Sequence, residues 1–491
     1  MSLCAIRNAK LVTPTGIVEG GVLIEDGRIA AVARDARLPS AGDVLDAGGR
    51  YVIPGVVDPE AHLGSTHPLD TDFATESRAA IAAGVTTWNL HQTTHVNFRA
   101  AAGRPPADRQ LKFSDVAKTF IDIGEERSHC DFMLTPLLMT EEQAEEIPEL
   151  ARRWGLLTYK LYMHMRLGRH RLEAAWPQAP KLGVQTFDDA LVFKAMREIA
   201  KFGEAGLLSA HCENWEIALV LEKELQEAGR TDTAAWNARS PGYLEAMHVH
   251  TYGYLAAKLG CRFHVQHVTT AETIAALTAV RTFGSTVFGQ TGVHYLLLDE
   301  GDWKLNTPLR GAADRQTVWE ALADGRIDSI GSDHVNRTMS RDEMVRGSVW
   351  KDVSGFPSRV EAHLPLLLSE GVNKGRLTIE RLVEIVASNP ARIWNLHPAK
   401  GAIQVGADAD FVLLDLERKM RIDKRHVLAA AGWSLYEGWD VQGWPLATIL
   451  RGSIVSELQD GRYVVTGEPS GRFVRRPVAE PAAVVPQWAM A

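Results

Sequence analysis

A chain of 491 residues is roughly three times a usual domain length, yet α/β barrels run to about 250 residues or more as one unit, so one large catalytic domain with appendages is allowed. Hydrophobic residues at 45% and charged residues at 23% exclude a disordered chain. With 53 basic against 61 acidic residues, a net charge of -8 and no basic tail, a nucleic-acid partner held through its phosphates is excluded as well.

In chain order, residues 1–53 predict a small β unit. CAIRNAKLVT is followed by a turn at Pro14-Thr15-Gly16, GGVLIEDGRIAAVA carries a hairpin signal at Asp26-Gly27, and DVLDAGGRYVIPG follows. From 54 to 395 apolar strands alternate with helix-length segments. The strand segments are YVIPGVVDPEAH, GVTTWNLH, DFMLTPLLM, GLLTYKLYM, GLLSAHC, RFHVQHV, STVFGQTG and DSIGSDH. Between them, DDALVFKAMREIAKFGEA and AETIAALTAVRTFG repeat apolar residues at three and four, as helices covering a barrel wall do. Strand-plus-helix units in this series predict a (β/α)8 TIM barrel. Residues 396–470 return to strands, in KGAIQVGADADFVLLDL and LATILRGSIVSELQDGRYV, and are expected to join the first fifty residues in one split β-sandwich domain. Residues 471–491, rich in Pro and Ala, read as an extended C-terminal arm.

Cys4, Cys130, Cys212 and Cys261 lie far apart with no C-x-x-C pair, which suits reduced thiols rather than a disulfide framework or a zinc knuckle. The start MSLCAIRNAKLVTPTG has charges where a signal peptide needs an apolar core, and no apolar run nears the roughly 18 residues of a membrane span. A soluble, cytoplasmic protein without a membrane partner is expected.

Metal-ligand types fall at the C-terminal ends of the predicted barrel strands, the face where barrel enzymes place their chemistry. Glu60 and His62 are two apart at the end of the first strand, so they point to the same side and suit one ion. Lys160, His211, His267 and Asp333 end the fourth, fifth, sixth and eighth strands. One strand-end histidine alone is usually a satisfied polar residue; imidazoles and carboxylates from several strands at one mouth point to metal.

These segments resemble the amidohydrolase superfamily, and within it the cyclic amidohydrolases: hydantoinases, dihydropyrimidinases, allantoinases and dihydroorotases. The resemblance spans nearly the whole chain through LIEDGRIAAV, YVIPGVVDPEAHL, AAIAAGVTT, YKLYM, SAHCEN, HVQHVTTAE, TPLRGAADRQTVWEAL, GSDH, SNPARIWNL and KGAIQVGADADFVLLD. It implies one or two divalent metal ions, zinc or manganese, bridged by a CO2-derived carbamate on Lys160. His211 and His267 would hold the second ion; Glu60 and His62 stand where the usual H-x-H pair holds the first. Asp333 would bind the first ion and shuttle protons as the catalytic acid–base. The implied reaction is attack of metal-bound hydroxide on a small cyclic amide, imide or ureide, opening its C–N bond, in a homotetramer or homodimer.

Three departures bear on that expectation. Glu60 in place of a neutral imidazole lowers the charge of the site by one unit, which weakens Lewis acidity, and as a harder ligand it favours manganese or magnesium; its bland alternative is to turn aside, leaving one ion on the histidine pair. Met165 stands where hydantoinases and dihydropyrimidinases place a tyrosine for the oxyanion, and Gly64 where dihydroorotases place an arginine for the substrate carboxylate. His91, His95, Tyr162 and His164 are candidate substitutes for the oxyanion donor, each with core packing or loop solvation as its plainer role. Asn306 matches a segment whose backbone meets the substrate ring, and otherwise turns a loop. The run Arg166-Leu167-Gly168-Arg169-His170-Arg171 would meet an anionic substrate or simply form a solvated face. Two other functions compete: a non-catalytic scaffold homologue, heralded by the lost histidine, and a hydrolase of an acyclic amide or carbamate. Trp433, Trp439, Trp444 and Trp488 are expected to offer apolar surface for assembly.

Overall fold

The computed structural model describes residues 3–38, 42–64, 67–94, 112–163, 188–336, 340–345, 349–350 and 359–478. His95, His164, Met165, Arg166 to Arg171 and Trp488 lie outside the described residues.

The strands in chain order are β1 (Ala5–Thr13), β2 (Gly16–Glu25), β3 (Arg28–Ala33), β4 (Val44–Asp46), β5 (Tyr51–Pro54), β6 (Val56–His62), β7 (Val85–Gln92), β8 (Asp131–Pro136) and β9 (Thr158–Tyr162). They continue as β10 (Leu207–His211), β11 (Phe263–Val265), β12 (Val287–Thr291), β13 (Ser329–Ile330), β14 (His334–Val335), β15 (Phe411–Arg421), β16 (Asp440–Leu450), β17 (Ser453–Gln459) and β18 (Arg462–Val465).

Strands β6 to β13 form the barrel, every neighbouring pair parallel. The ring closes at two places: a bridge between Leu137 and Lys160 joins β8 to β9, and β14 returns to pair with β6, with His334 opposite Ala61. Each of the eight predicted strand segments contributes to this ring. β6 and β7 are buried at every position, as parallel strands covered on both faces are. The segment expected as one long first strand is split. Gly55 separates β5, which pairs antiparallel to β15, from β6 in the barrel, and a Cβ at Gly55 would lie 2.1 Å from Thr86 Oγ1, so this crossing needs glycine.

The two helices singled out from periodicity form at Asp189–Ala200 and Ala271–Arg281. Asp188 and Thr270 cap them by accepting from the backbone N–H of Leu191 and Thr273. The second buries Ile274, Leu277 and Val280 on one face.

Nine strands from the two chain ends form one mixed sheet, in the order β18-β17-β16-β15-β5-β1-β2-β3 with β4 on β1. Its second core joins Ile6, Leu11, Val22, Val52, Phe411 and Ile449, residues from both termini. Past this sheet, the chain at 471–474 runs along the start of β8, where Phe132 N–H donates to the Arg472 carbonyl and Val474 N–H to the Phe132 carbonyl. Trp433 and Trp444 are buried and do not offer the apolar surface expected of them, whereas Trp439 is half-buried against the main core. The cysteines carry no disulfide. Among the described residues no helix is long and apolar enough to cross a membrane.

Candidate metal centre

The strand ends bring Glu60, His62, Lys160 and Asp333 into direct contact at one barrel mouth. Lys160 Nζ lies 2.9 Å from Glu60 Oε1, and His62 Nε2 lies 3.3 Å from Asp333 Oδ1 and 3.8 Å from Glu60 Oε1. His211 and His267 form a second group, their rings 4.3 Å apart. Tyr162 stands between the groups: its hydroxyl is 3.2 Å from His62 Nδ1 and its ring is 6.3 Å from that of His211.

Local chain geometry explains the aim of these side chains. Glu60 and His62 share one side of β6, and Lys160 lies within β9. The sixth and eighth strand segments stop short of their ligands: β11 ends at Val265 and β13 at Ile330, and His267 and Asp333 adopt φ of 38° and 48° beyond them. Left-handed backbone at non-glycine residues is uncommon and concentrates at functional sites.

Each imidazole is also held through a ring nitrogen. His211 Nε2 is 2.9 Å from Glu213 Oε2, whose other oxygen accepts from Ser240 Oγ at 2.5 Å; His267 Nδ1 is 3.0 Å from Thr307 Oγ1. Outer partners of this type orient ligating histidines and fix their tautomer. Burial, then the neighbouring His267 and Lys160, hold the His211 imidazole well below its ordinary pKa, in the neutral form a metal requires. Burial works to raise Glu60, but Lys160 beside it and the His62 contact override this and keep the carboxyl well below the usual carboxylate range. The Tyr162 phenol is pushed far up by burial and by Asp333 and Glu60, so it stays protonated. Carboxylates and imidazoles held by outer partners suit divalent ions, and Glu60, His62 and His91 each place a ligand atom within 4.8 Å of the others.

The remaining candidates are placed as follows. His91 is buried between Asn89 and Gln266, with nitrogen contacts of 3.1 and 3.3 Å, and its ring is 5.3 Å from that of His62. Asn306 accepts from Arg239 Nη2 at 3.2 Å. Gly64 has a φ of 71°, and its N–H donates to Asp72 at 2.8 Å. Sequence reasoning missed Gln290, which donates to Glu60 Oε2 at 2.5 Å, and Arg359, which is 3.2 Å from Asp333 Oδ2. No local pattern marks either. Glu213 was visible in SAHCEN, two residues after His211, but had no assigned role.

A second acidic cluster, Asp131, Asp408 and Asp410, is neutralised by the protein itself. Lys400 Nζ lies 2.5, 2.9 and 2.6 Å from the three carboxylates, and Arg451 pairs with Asp131.

Residues 238–455 match the amidohydrolase family. The chain is 30% identical over 485 residues to an L-hydantoinase of Paenarthrobacter aurescens, covering 96% of this chain and 97% of that protein. An allantoinase of Solibacter usitatus is also 30% identical, over 489 residues and 97% of each chain, so identity alone does not select the ring. The solved L-hydantoinase (dihydropyrimidinase) of Arthrobacter aurescens superposes with a TM-score of 0.83 at 28% identity, covering 97% of this chain and 100% of that one. The barrel and the terminal sheet agree with these likenesses, and the chain belongs to the cyclic amidohydrolase branch of the amidohydrolase family.

Proposed function

We propose that the protein is a metal-dependent hydrolase that opens the C–N bond of a small cyclic amide, imide or ureide. The observation that carries this reading is the contact of Glu60, His62, Lys160 and Asp333 at one barrel mouth, with the His211–His267 pair joined to them through Tyr162. Glu60, His62 and Asp333 would hold one divalent ion and His211 and His267 a second, with a carbamate on Lys160 shared between them. Zinc or manganese bound there would supply Lewis acidity toward the ring carbonyl and lower the pKa of water. Asp333 accepts the proton of the attacking water and returns it to the ring nitrogen as the C–N bond breaks, so water divides between the new carboxylate and the new amine end. Tyr162, His91, His164 and Asn306 are further substrate contacts, none of them replacing in full the hydrogen bond a tyrosine at 165 would give the carbonyl oxygen. The same reading includes a cytoplasmic homotetramer or homodimer.

With methionine at 165 in place of the tyrosine of relatives, substrates that need less oxyanion support are preferred. One missing donor costs about 10²–10³ in rate. A spectrophotometric panel of cyclic imides, hydantoins, dihydrouracil, allantoin and dihydroorotate, run with zinc and with manganese, is expected to show imides fastest and dihydroorotate inert. Rapid opening of dihydrouracil or a hydantoin with imides inert would overturn this preference.

The competing reading is the scaffold, in which the Lys160–Glu60 pair at 2.9 Å is purely structural. Metal analysis separates the two readings, since the hydrolase is expected to carry one or two divalent ions per chain and the scaffold none.

A further inference from the structure

Arg359 is fully buried behind Asp333, at the entry to the helix Val360–Leu366. Its Nη2 is 3.2 Å from Asp333 Oδ2 and also donates to the main-chain carbonyl of Asp333, while Nη1 is 3.0 Å from His294 Nε2. The guanidinium thus holds residue 333 through both side chain and backbone, at a φ of 48° that L residues rarely keep without support. With Oδ2 taken, Oδ1 is the oxygen that faces His62 Nε2, at 3.3 Å.

The need for such a grip follows from Glu60. Two carboxylates, Glu60 and Asp333, face the same His62 nitrogen at 3.8 and 3.3 Å, and like charges that share one site repel. Each has its own cation, Lys160 for Glu60 and Arg359 for Asp333. Carbamate formation at Lys160 would remove the first of these charges, whereas a guanidinium keeps its charge at any working pH.

We propose that Arg359 is a positioning residue that keeps the Asp333 carboxylate aimed into the metal centre against repulsion from Glu60. This rests on the reading of Asp333 as ligand and proton carrier. The test is manganese affinity of the metal-stripped protein, followed by electron paramagnetic resonance, in a cycle of Arg359→Met, Asp333→Ala and the double variant. Arg359→Met is expected to weaken binding about tenfold and the double variant to bind no more weakly than Asp333→Ala; Arg359→Lys, which keeps the charge but not the two-pronged fork, should fall between wild type and Arg359→Met. Additive losses, or equal or tighter binding by Arg359→Met, would overturn the proposal. If Arg359→Met does not fold, the same cycle is run with Arg359→Lys and judged by the same non-additivity. In ring opening, Arg359→Met is expected to lower kcat with KM within twofold. Non-additive manganese binding in a protein that opens no ring would defeat the functional reading and leave this inference standing; ring opening with additive losses would do the reverse.

Discussion

Glu60 stands where the family resemblance leads one to expect the first histidine of a strand-end pair, and the structure engages both of its oxygens. Lys160 holds Oε1 at 2.9 Å and Gln290 holds Oε2 at 2.5 Å. A carboxylate so placed remains ionised and brings a hard oxygen where an imidazole would bring nitrogen. Glu60→His is therefore expected to shift the bound metal toward zinc, measured as the zinc-to-manganese ratio in protein from cells given equal amounts of both, and Lys160→Ala to hold at most one ion per chain. An unchanged ratio in Glu60→His would show that residue 60 does not touch the ion. The pairing of Glu60 with His62 is legible from spacing alone, because residues two apart on a strand share a face. Gln290 is not, because it comes from another strand 230 positions away.

Among elements, the strands were legible as apolar segments, but the ends of β11 and β13 were not. Periodicity reports which face is buried and says nothing of where the backbone turns left-handed to aim His267 or Asp333. The join between barrel and terminal sheet is likewise a matter of contacts. Lys400 lies between Asp131 at the start of β8 and Asp408 and Asp410 just before β15, and these charges raise the Lys400 pKa despite its burial. Removing one member of a buried ion network leaves the others uncompensated, at a cost of about 3–5 kcal/mol. Lys400→Met is expected to lose stability of that order in urea unfolding while its metal content stays that of the wild type. A loss below about 1 kcal/mol would show that the carboxylates are solvated or protonated instead.

For the whole molecule, burial of Trp433 and Trp444 removes the surface first expected to drive assembly. Exposed apolar side chains occur elsewhere: Tyr243, Met247 and Tyr254 lie on the helix Tyr243–Leu259, and Phe283 meets Tyr254 edge-on at 5.7 Å. Association of like chains covers side chains of this kind. Sedimentation at micromolar concentration is expected to give two or four times the 54.0 kDa chain mass, and a monomer would remove the oligomer from the functional reading.

The sequence by itself determined the barrel and the sheet built from both chain ends, and it pointed to strand-end residues as candidates for the site. Each follows from short-range periodicity and from the rule that successive parallel strands end on one face. Only the tertiary structure decided which atoms meet. That Glu60 answers Lys160 and Gln290, that Glu213 backs His211, and that Arg359 grips Asp333 are contacts between residues on different elements or loops, set by strand register and by exclusion of water from a shared interior. A buried charge must find its partner wherever packing places one, and no local pattern of residues records that place.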